Sequence, residues 1–265
     1  MLLTTLGEFV LSANDGVWQE TLISALGALG YKAQAARQAL ARSVTGGWLS
    51  SERHGRRARI RLTPQTERML RTGAARIYGF GESRAWDGEW LLIILRVPED
   101  RREVRHQLRT QLAWAGFGSL GGGLWISPHV RREQELRGSG APGSVAEMQS
   151  FTARLGTIGD PAKLLRDAWD LDEVAEAYRA FTARFRGMRP RTPEAVFCAQ
   201  TMLVHEWRKF PFLDPDLPES ILPARWPRST AHDVFVERHA VYNDVAQDYF
   251  RSLEGLGGAA NRSAA

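Results

Sequence analysis

The sequence predicts an α+β protein of several domains, with two mixed domains followed by a mostly helical one. Three observations predict it. Residues 1–80 combine helical apolar spacing with one arginine-rich hairpin, the middle holds an almost unbroken apolar run from Leu91 to Val97 among short strands and helices, and the spacing is helical from Asp160 onward. Apolar residues three and four apart mark helices, whereas alternation or a short continuous apolar run marks strands.

With 265 residues, 43% hydrophobic and 25% charged, the chain has the composition of a soluble globular protein and can form one large core or two to three ordinary ones. No apolar run approaches the roughly 20 residues a membrane-crossing helix needs. The start, "MLLTTLGEFVLSAND", has no basic n-region, so no secretory signal is expected. Cys198 is the single cysteine, which leaves no internal disulfide and no thiolate cluster, suits a cytoplasmic location, and in "AVFCAQTMLV" reads as a buried inert thiol. The charge is uneven. Residues 1–80 carry eleven cations and five anions, a net +6 against +5 for the whole chain, so a polyanionic partner is expected at the N-terminal domain.

Within that domain, "VWQETLISALGALG" reads as a helix with Leu22, Ile23, Leu26 and Leu29 inward, stopped by Gly30. "KAQAARQALARSVTGG" reads as a second helix with Ala36, Ala39, Leu40, Ser43 and Val44 inward. Gln34, Gln38, Ala41, Arg42 and Thr45 then point outward with Arg37 on the flank, and Gly46-Gly47 ends the helix. "SSERHGRRARIRL" reads as a hairpin turning at His54-Gly55 and pairing Arg53 with Arg56 and Leu49 with Ile60. Alternation puts Leu49, Ser51, Ala58, Ile60 and Leu62 on one face and Arg57, Arg59 and Arg61 on the other. A closing helix starts with Thr63 as N-cap and Pro64 in the first turn.

Helix, turn, exposed Gln/Arg helix and basic hairpin is the order of a winged helix-turn-helix. Glutamine and arginine make paired hydrogen bonds to adenine and guanine edges, and guanidinium groups neutralise phosphates. The expected double-stranded DNA contacts are Gln34, Arg37, Gln38, Arg42 and Thr45 on the helix, with Arg53, His54, Arg56, Arg57 and Arg59 on the wing.

After "GESRAWDG" as linker, Leu91–Val97 reads as a strand buried on both faces, followed by a helix with Val104, Leu108 and Leu112 inward, strands in "FGSL" and "GLWISP", a short helix and a final strand. This βαββαβ order is ferredoxin-like and suits a dimerisation core. The expected domains are 1–80, 86–156 and a helical C-terminal 160–254, the last followed by a disordered tail at 255–265. "HEWRKF" lacks the second histidine of an H-E-x-x-H zinc site, and no metal, serine or cysteine constellation supports an enzyme. His205, Trp207, Arg208 and Phe212 mix charge with aromatic surface beside a proline-rich stretch and are the candidate ligand residues.

"AARQALARSVTGGWLSSERHGRRARIRLT", "GFGSLGGGLWISPH" and "LVHEWRKFPFLDPDLPESILPARWP" together resemble, in order, the PaaX-like family of bacterial repressors of phenylacetic acid degradation. The resemblance implies a cytoplasmic homodimer that binds operator DNA, has no cofactor, and is released by an acyl-CoA effector, typically phenylacetyl-CoA. Two other readings remain: a metal-dependent nuclease using Asp87 and Asp100 of the middle domain, and a constitutive DNA binder without effector.

Overall fold

The computed structural model describes residues 1–13, 15–81, 86–138 and 147–259. Part of the expected linker (82–85) and the end of the expected tail (260–265) therefore lie outside the described residues. The chain begins with α1 (Leu2–Thr5), which runs on as a π-helical turn over Leu6–Val10, then β1 (Val17–Trp18), α2 (Gln19–Ala28), α3 (Ala33–Thr45), β2 (Leu49–His54), β3 (Arg57–Leu62) and α4 (Pro64–Tyr78). Next come β4 (Glu89–Arg96), α5 (Arg102–Trp114), β5 (Gly118–Gly121), β6 (Leu124–Ser127), α6 (Arg132–Gly138) and β7 (Glu147–Arg154). The remainder is α7 (Pro161–Ala168), α8 (Leu171–Arg186), α9 (Pro193–Trp207), α10 (Phe210–Leu213), a 3₁₀ turn at Glu219–Ile221 and α11 (Arg228–Ala259). Among these described residues no helix is long and apolar enough to cross a membrane.

The chain forms two compact units: Met1–Phe80 with Phe181–Arg208 and His232–Ala265, and Gly81–Ala180 with Lys209–Ala231. The stretch expected as a helical C-terminal domain is thus divided between them. The first unit shows why. Leu6, Phe9, Val17, Leu22, Leu40, Leu49 and Ile60 share one buried cluster with Phe197 of α9 and with Ala246 and Phe250 of α11. The Phe9 ring lies 4.9 Å from Phe197 and 5.2 Å from Phe250. Each large apolar side chain gains about 1.5–3 kcal/mol on burial, so the small N-terminal elements complete their core with helices from far along the chain.

The three-stranded sheet of this unit has the order β1-β3-β2, all antiparallel. The hairpin register corrects the sequence reading. His54 pairs with Arg57, Arg53 with Ala58, Ser51 with Ile60 and Leu49 with Leu62, so the two-residue loop is Gly55-Arg56, one residue later than expected. Gly55 has φ +61, and His54 stays in the strand. A glycine at the first loop position alone meets the demand of a II′-type turn, so no positive φ is needed at His54. Because the pairing shifts by two residues, side-chain parity is unchanged. Leu49 and Ile60 are buried on one face, and Arg57, Arg59 and Arg61 share the other. Thr63 caps α4 by accepting from the Thr66 N–H. The expected tail is corrected at its start, since 255–259 continue α11.

In the second unit the antiparallel sheet has the order β5-β6-β4-β7. Central β4 is covered on both faces: Leu91, Ile93 and Leu95 pack with Leu108, Leu112 and Trp125, while Trp90 and Leu92 join Ile126, Leu165, Leu171 and Leu217. A buried polar knot holds the proline-rich strap. The Tyr178 hydroxyl donates to Asp214 Oδ2 at 2.6 Å, and Arg228 donates to the same carboxylate through Nε at 3.0 Å. Arg228 also donates to the Leu217 carbonyl at 2.9 Å, and the Tyr178 ring stacks on Phe210 with centroids 4.1 Å apart.

Candidate nucleic-acid interface

Helix α3 is seated by Ala36 and Leu40, both buried, with Ala39, Ser43 and Val44 half-buried beside them. This leaves Gln34, Arg37, Gln38, Ala41, Arg42 and Thr45 exposed along its other side. Small residues alternate with long hydrogen-bonding ones on that side, the side-chain pattern that close approach to a groove and contact with base edges would require. Gly47, at φ +71, lets the chain leave α3 and enter β2, and the Thr63 hydroxyl donates to the Gly47 carbonyl at 2.9 Å.

The hairpin beside it carries two kinds of arginine. Arg53 and Arg56 are exposed at the tip, and among the described residues they make no ion pair. Arg57 and Arg59 are fastened instead. The Arg57 guanidinium lies 3.7 Å from the centroid of the Trp18 ring and that of Arg59 4.8 Å from it. Arg57 also sits 3.8 Å from the Glu20 carboxylate, and Arg59 donates to the Asp15 carbonyl at 2.9 Å and pairs with Glu254 at 3.2 Å. His54 has its ring 5.8 Å from Trp18, edge-on, with Nε2 3.4 Å from Glu52.

Strand β1 accounts for this division. Trp18 pairs with Arg59 across the sheet, which presents its indole to the guanidinium face of β3. Cation–π contacts of this kind contribute about 0.5–2 kcal/mol. Glu254 completes the arrangement: its carboxylate accepts from the Trp18 N–H at 3.1 Å and from the Thr21 hydroxyl at 2.7 Å. Sequence reasoning missed both residues. A two-residue strand has no periodicity to detect, and Glu254 is remote in sequence from the elements it holds.

The candidate ligand residues take different places. Trp207 is fully buried in the first unit, donating through Nε1 to the Ile77 carbonyl at 3.1 Å and stacking on Phe235 at 4.7 Å. His205 is half-buried, with Nδ1 3.0 Å from the Thr4 hydroxyl oxygen. Arg208 forms the C-cap of α9, and Phe212 is an exposed residue of the second unit. Trp207 is thus part of a packed core. The Cys198 thiol donates to the Ala28 carbonyl at 3.2 Å, and burial, aided by Glu194, pushes it up, as suits an inert thiol. Asp87 accepts from the Glu89 N–H at 3.0 Å and Asp100 lies 3.6 Å from Arg101, both being exposed.

Residues 1–66 match the description "PaaX-like protein", residues 83–165 "PaaX protein central Cas2-like domain", and residues 169–252 "PaaX-like protein C-terminal domain". The transcriptional repressor PaaX of Escherichia coli is 31% identical over 251 residues, covering 91% of this chain and 78% of that protein. Among solved structures, the uncharacterized protein Rv0674 of Mycobacterium tuberculosis superposes with a TM-score of 0.66 at 24% identity, covering 94% of this chain and 96% of that one. By these matches the protein is of the transcription-regulator class and not an enzyme. The chain belongs to the PaaX-like family.

Proposed function

We propose that this protein is a DNA-binding repressor of an aromatic-acid catabolic operon of the phenylacetate type. The observation that carries this reading is the exposed Gln34–Thr45 side of α3 beside the free hairpin-tip arginines Arg53 and Arg56, in a chain 31% identical to the repressor of Escherichia coli. In this reading residues 1–80 form a winged helix-turn-helix. The α2–α3 pair, the α3 surface and the three-stranded sheet with its hairpin wing support it. Gln34, Arg37, Gln38, Arg42 and Thr45 read base edges. Arg53, His54 and Arg56 hold phosphates, while Arg57 and Arg59 stiffen the wing from behind.

The middle βαββαβ stretch is ferredoxin-like, a reading supported by its strand order β5-β6-β4-β7 with every pair antiparallel. It serves as the dimerisation core of a homodimer, so that two wings meet two operator half-sites. An acyl-CoA thioester such as phenylacetyl-CoA binds the DNA-incompetent state more tightly and so releases the operator. This part of the proposal rests on the family resemblance.

A mobility-shift titration of the protein on DNA from its own promoter region, with and without phenylacetyl-CoA, tests both steps. Sequence-specific retention that the thioester reverses supports the whole reading. Retention insensitive to any thioester leaves a repressor without that effector, and no retention at all removes the DNA-binding reading.

A further inference from the structure

A groove of about 1010 Å³ opens in the second unit at the C-terminal end of β4. Four arginines line it, Arg96 from the strand and Arg102, Arg105 and Arg109 from α5, against the carboxylates of Glu99 and Glu147. The spacing of three and four residues aligns the α5 arginines on one side of the helix. Among the described residues Arg96, Arg102 and Arg109 make no ion pair. Arg105 is oriented by the chain itself, donating to the Pro98 carbonyl at 3.1 Å and the Val97 carbonyl at 3.4 Å.

Two further features make this a site for an anion. Helix α5 is 13 residues long, and its N-cap, Arg101, makes no side-chain capping bond, so the first-turn N–H groups and the positive helix end add to the arginine field. Glycine backbone of the β5–β6 hairpin lines the groove beside Ser119 and Trp125. Gly121 and Gly122 have positive φ and nothing within 4 Å of where a Cβ would stand, so no side chain fills the groove there. At Gly123 a Cβ would come within 2.3 Å of the Leu95 carbonyl oxygen, so only glycine lets the hairpin close on the end of β4.

We propose that this groove binds a small phosphorylated molecule of the nucleoside diphosphate class. The arginines and the α5 N-terminus take the phosphates, and Glu99 and Glu147 accept hydrogen bonds from sugar or base. The volume matches the upper end of the range for small-molecule sites, about 300–1,000 Å³. A duplex backbone fits less well, because two carboxylates would stand among its phosphates. The inference neither rests on the repressor reading nor concerns the α3 surface.

Calorimetry on the full chain with ADP, pyrophosphate and adenosine tests it. ADP and pyrophosphate should bind and adenosine should not. R102A/R109A should weaken ADP binding by about tenfold or more, since it removes two charge-assisted contacts. E147Q should weaken ADP binding and leave pyrophosphate binding in place, since it removes an acceptor for sugar or base and no phosphate contact, and retained pyrophosphate binding is something a misfolded variant could not produce. No binding of ADP at about 1 mM, equal binding of adenosine, or ADP affinity unchanged in both variants would overturn the proposal. Should R102A/R109A weaken duplex DNA binding while ADP neither binds nor competes, the groove is a DNA-backbone contact and the small-ligand assignment is wrong.

Discussion

The carboxylate of Glu254, near the end of α11, lies 3.2 Å from the guanidinium of Arg59 on the hairpin. The same carboxylate meets the N-terminal end of α2, where Trp18, the N-cap residue, supplies no side-chain cap of its own. One side chain therefore provides the anion favoured at a helix N-terminus and the counter-charge for a strand arginine.

Glu254→Ala should lower stability by about 1–2 kcal/mol, the combined effect of a lost cap-like acceptor and a charge-assisted hydrogen bond. Denaturant titration followed by tryptophan fluorescence checks this. A midpoint equal to that of the parent chain would mean that the carboxylate only decorates the surface.

The two classes of hairpin arginine should separate in experiment. R53A/R56A should leave the melting temperature in place, weaken DNA binding whatever the sequence, and lower the salt slope of log K by about 1.8. R57A should lower the melting temperature, because its guanidinium lies on Trp18. On α3, Q38A or R42A should change sequence preference, each by about 1–3 kcal/mol at the affected base pair. Identical behaviour of hairpin and α3 variants across a panel of sequences and salt concentrations would contradict this division of labour.

Breaking the buried knot in the second unit should be costly. Arg228 is 5% exposed and Asp214 4%, so Arg228→Ala leaves a carboxylate buried beside Tyr178 without its cation. A loss of about 3–5 kcal/mol is expected, against about 1 kcal/mol for Tyr178→Phe. Thermal melts of the two variants decide it, and a near-neutral Arg228→Ala would show that water already reaches the site.

Stability should fall in alkali. Burial pushes the Tyr78 and Tyr178 hydroxyls above the ordinary tyrosine range, with Glu8 and Asp214 reinforcing the shifts, and Tyr249 is pushed up to about 12 by burial and by its hydrogen bond to Glu194. The folded state holds these phenols neutral, whereas the unfolded chain ionises them near pH ~10. Their contribution is therefore complete below about pH 10 and is lost as the pH rises through the folded values. Melting temperatures should hold up to about pH 10 and decline above it, less steeply in Tyr78→Phe. A flat profile would refute the shifts.

Where a segment carries its own periodicity, the sequence was legible. The inward and outward sides of α3 follow from the spacing of Ala36 and Leu40 around a wheel, and β4 follows from an apolar run that only a strand covered on both faces sustains. The hairpin faces were readable although its turn was misplaced, since a two-residue loop at either position keeps the same parity across the two strands. Long-range partners were not readable. Nothing near Phe9 announces Phe250, and nothing near Arg59 announces Glu254. Trp207, read as a candidate ligand residue because charge and aromatic surface meet there beside a proline-rich stretch, is buried and stacks on Phe235.

The pairing of β3 with β1 on one side and β2 on the other also constrains how this hairpin can vary in length. Ile60 is held by both Val17 and Ser51, so an insertion or deletion of one residue between Arg57 and Ile60 would swing the guanidinium groups toward the apolar interior and expose whatever lay beneath. Changes by two residues keep the polarity of the ribbon. Natural relatives and engineered versions should therefore lengthen or shorten this finger in even steps.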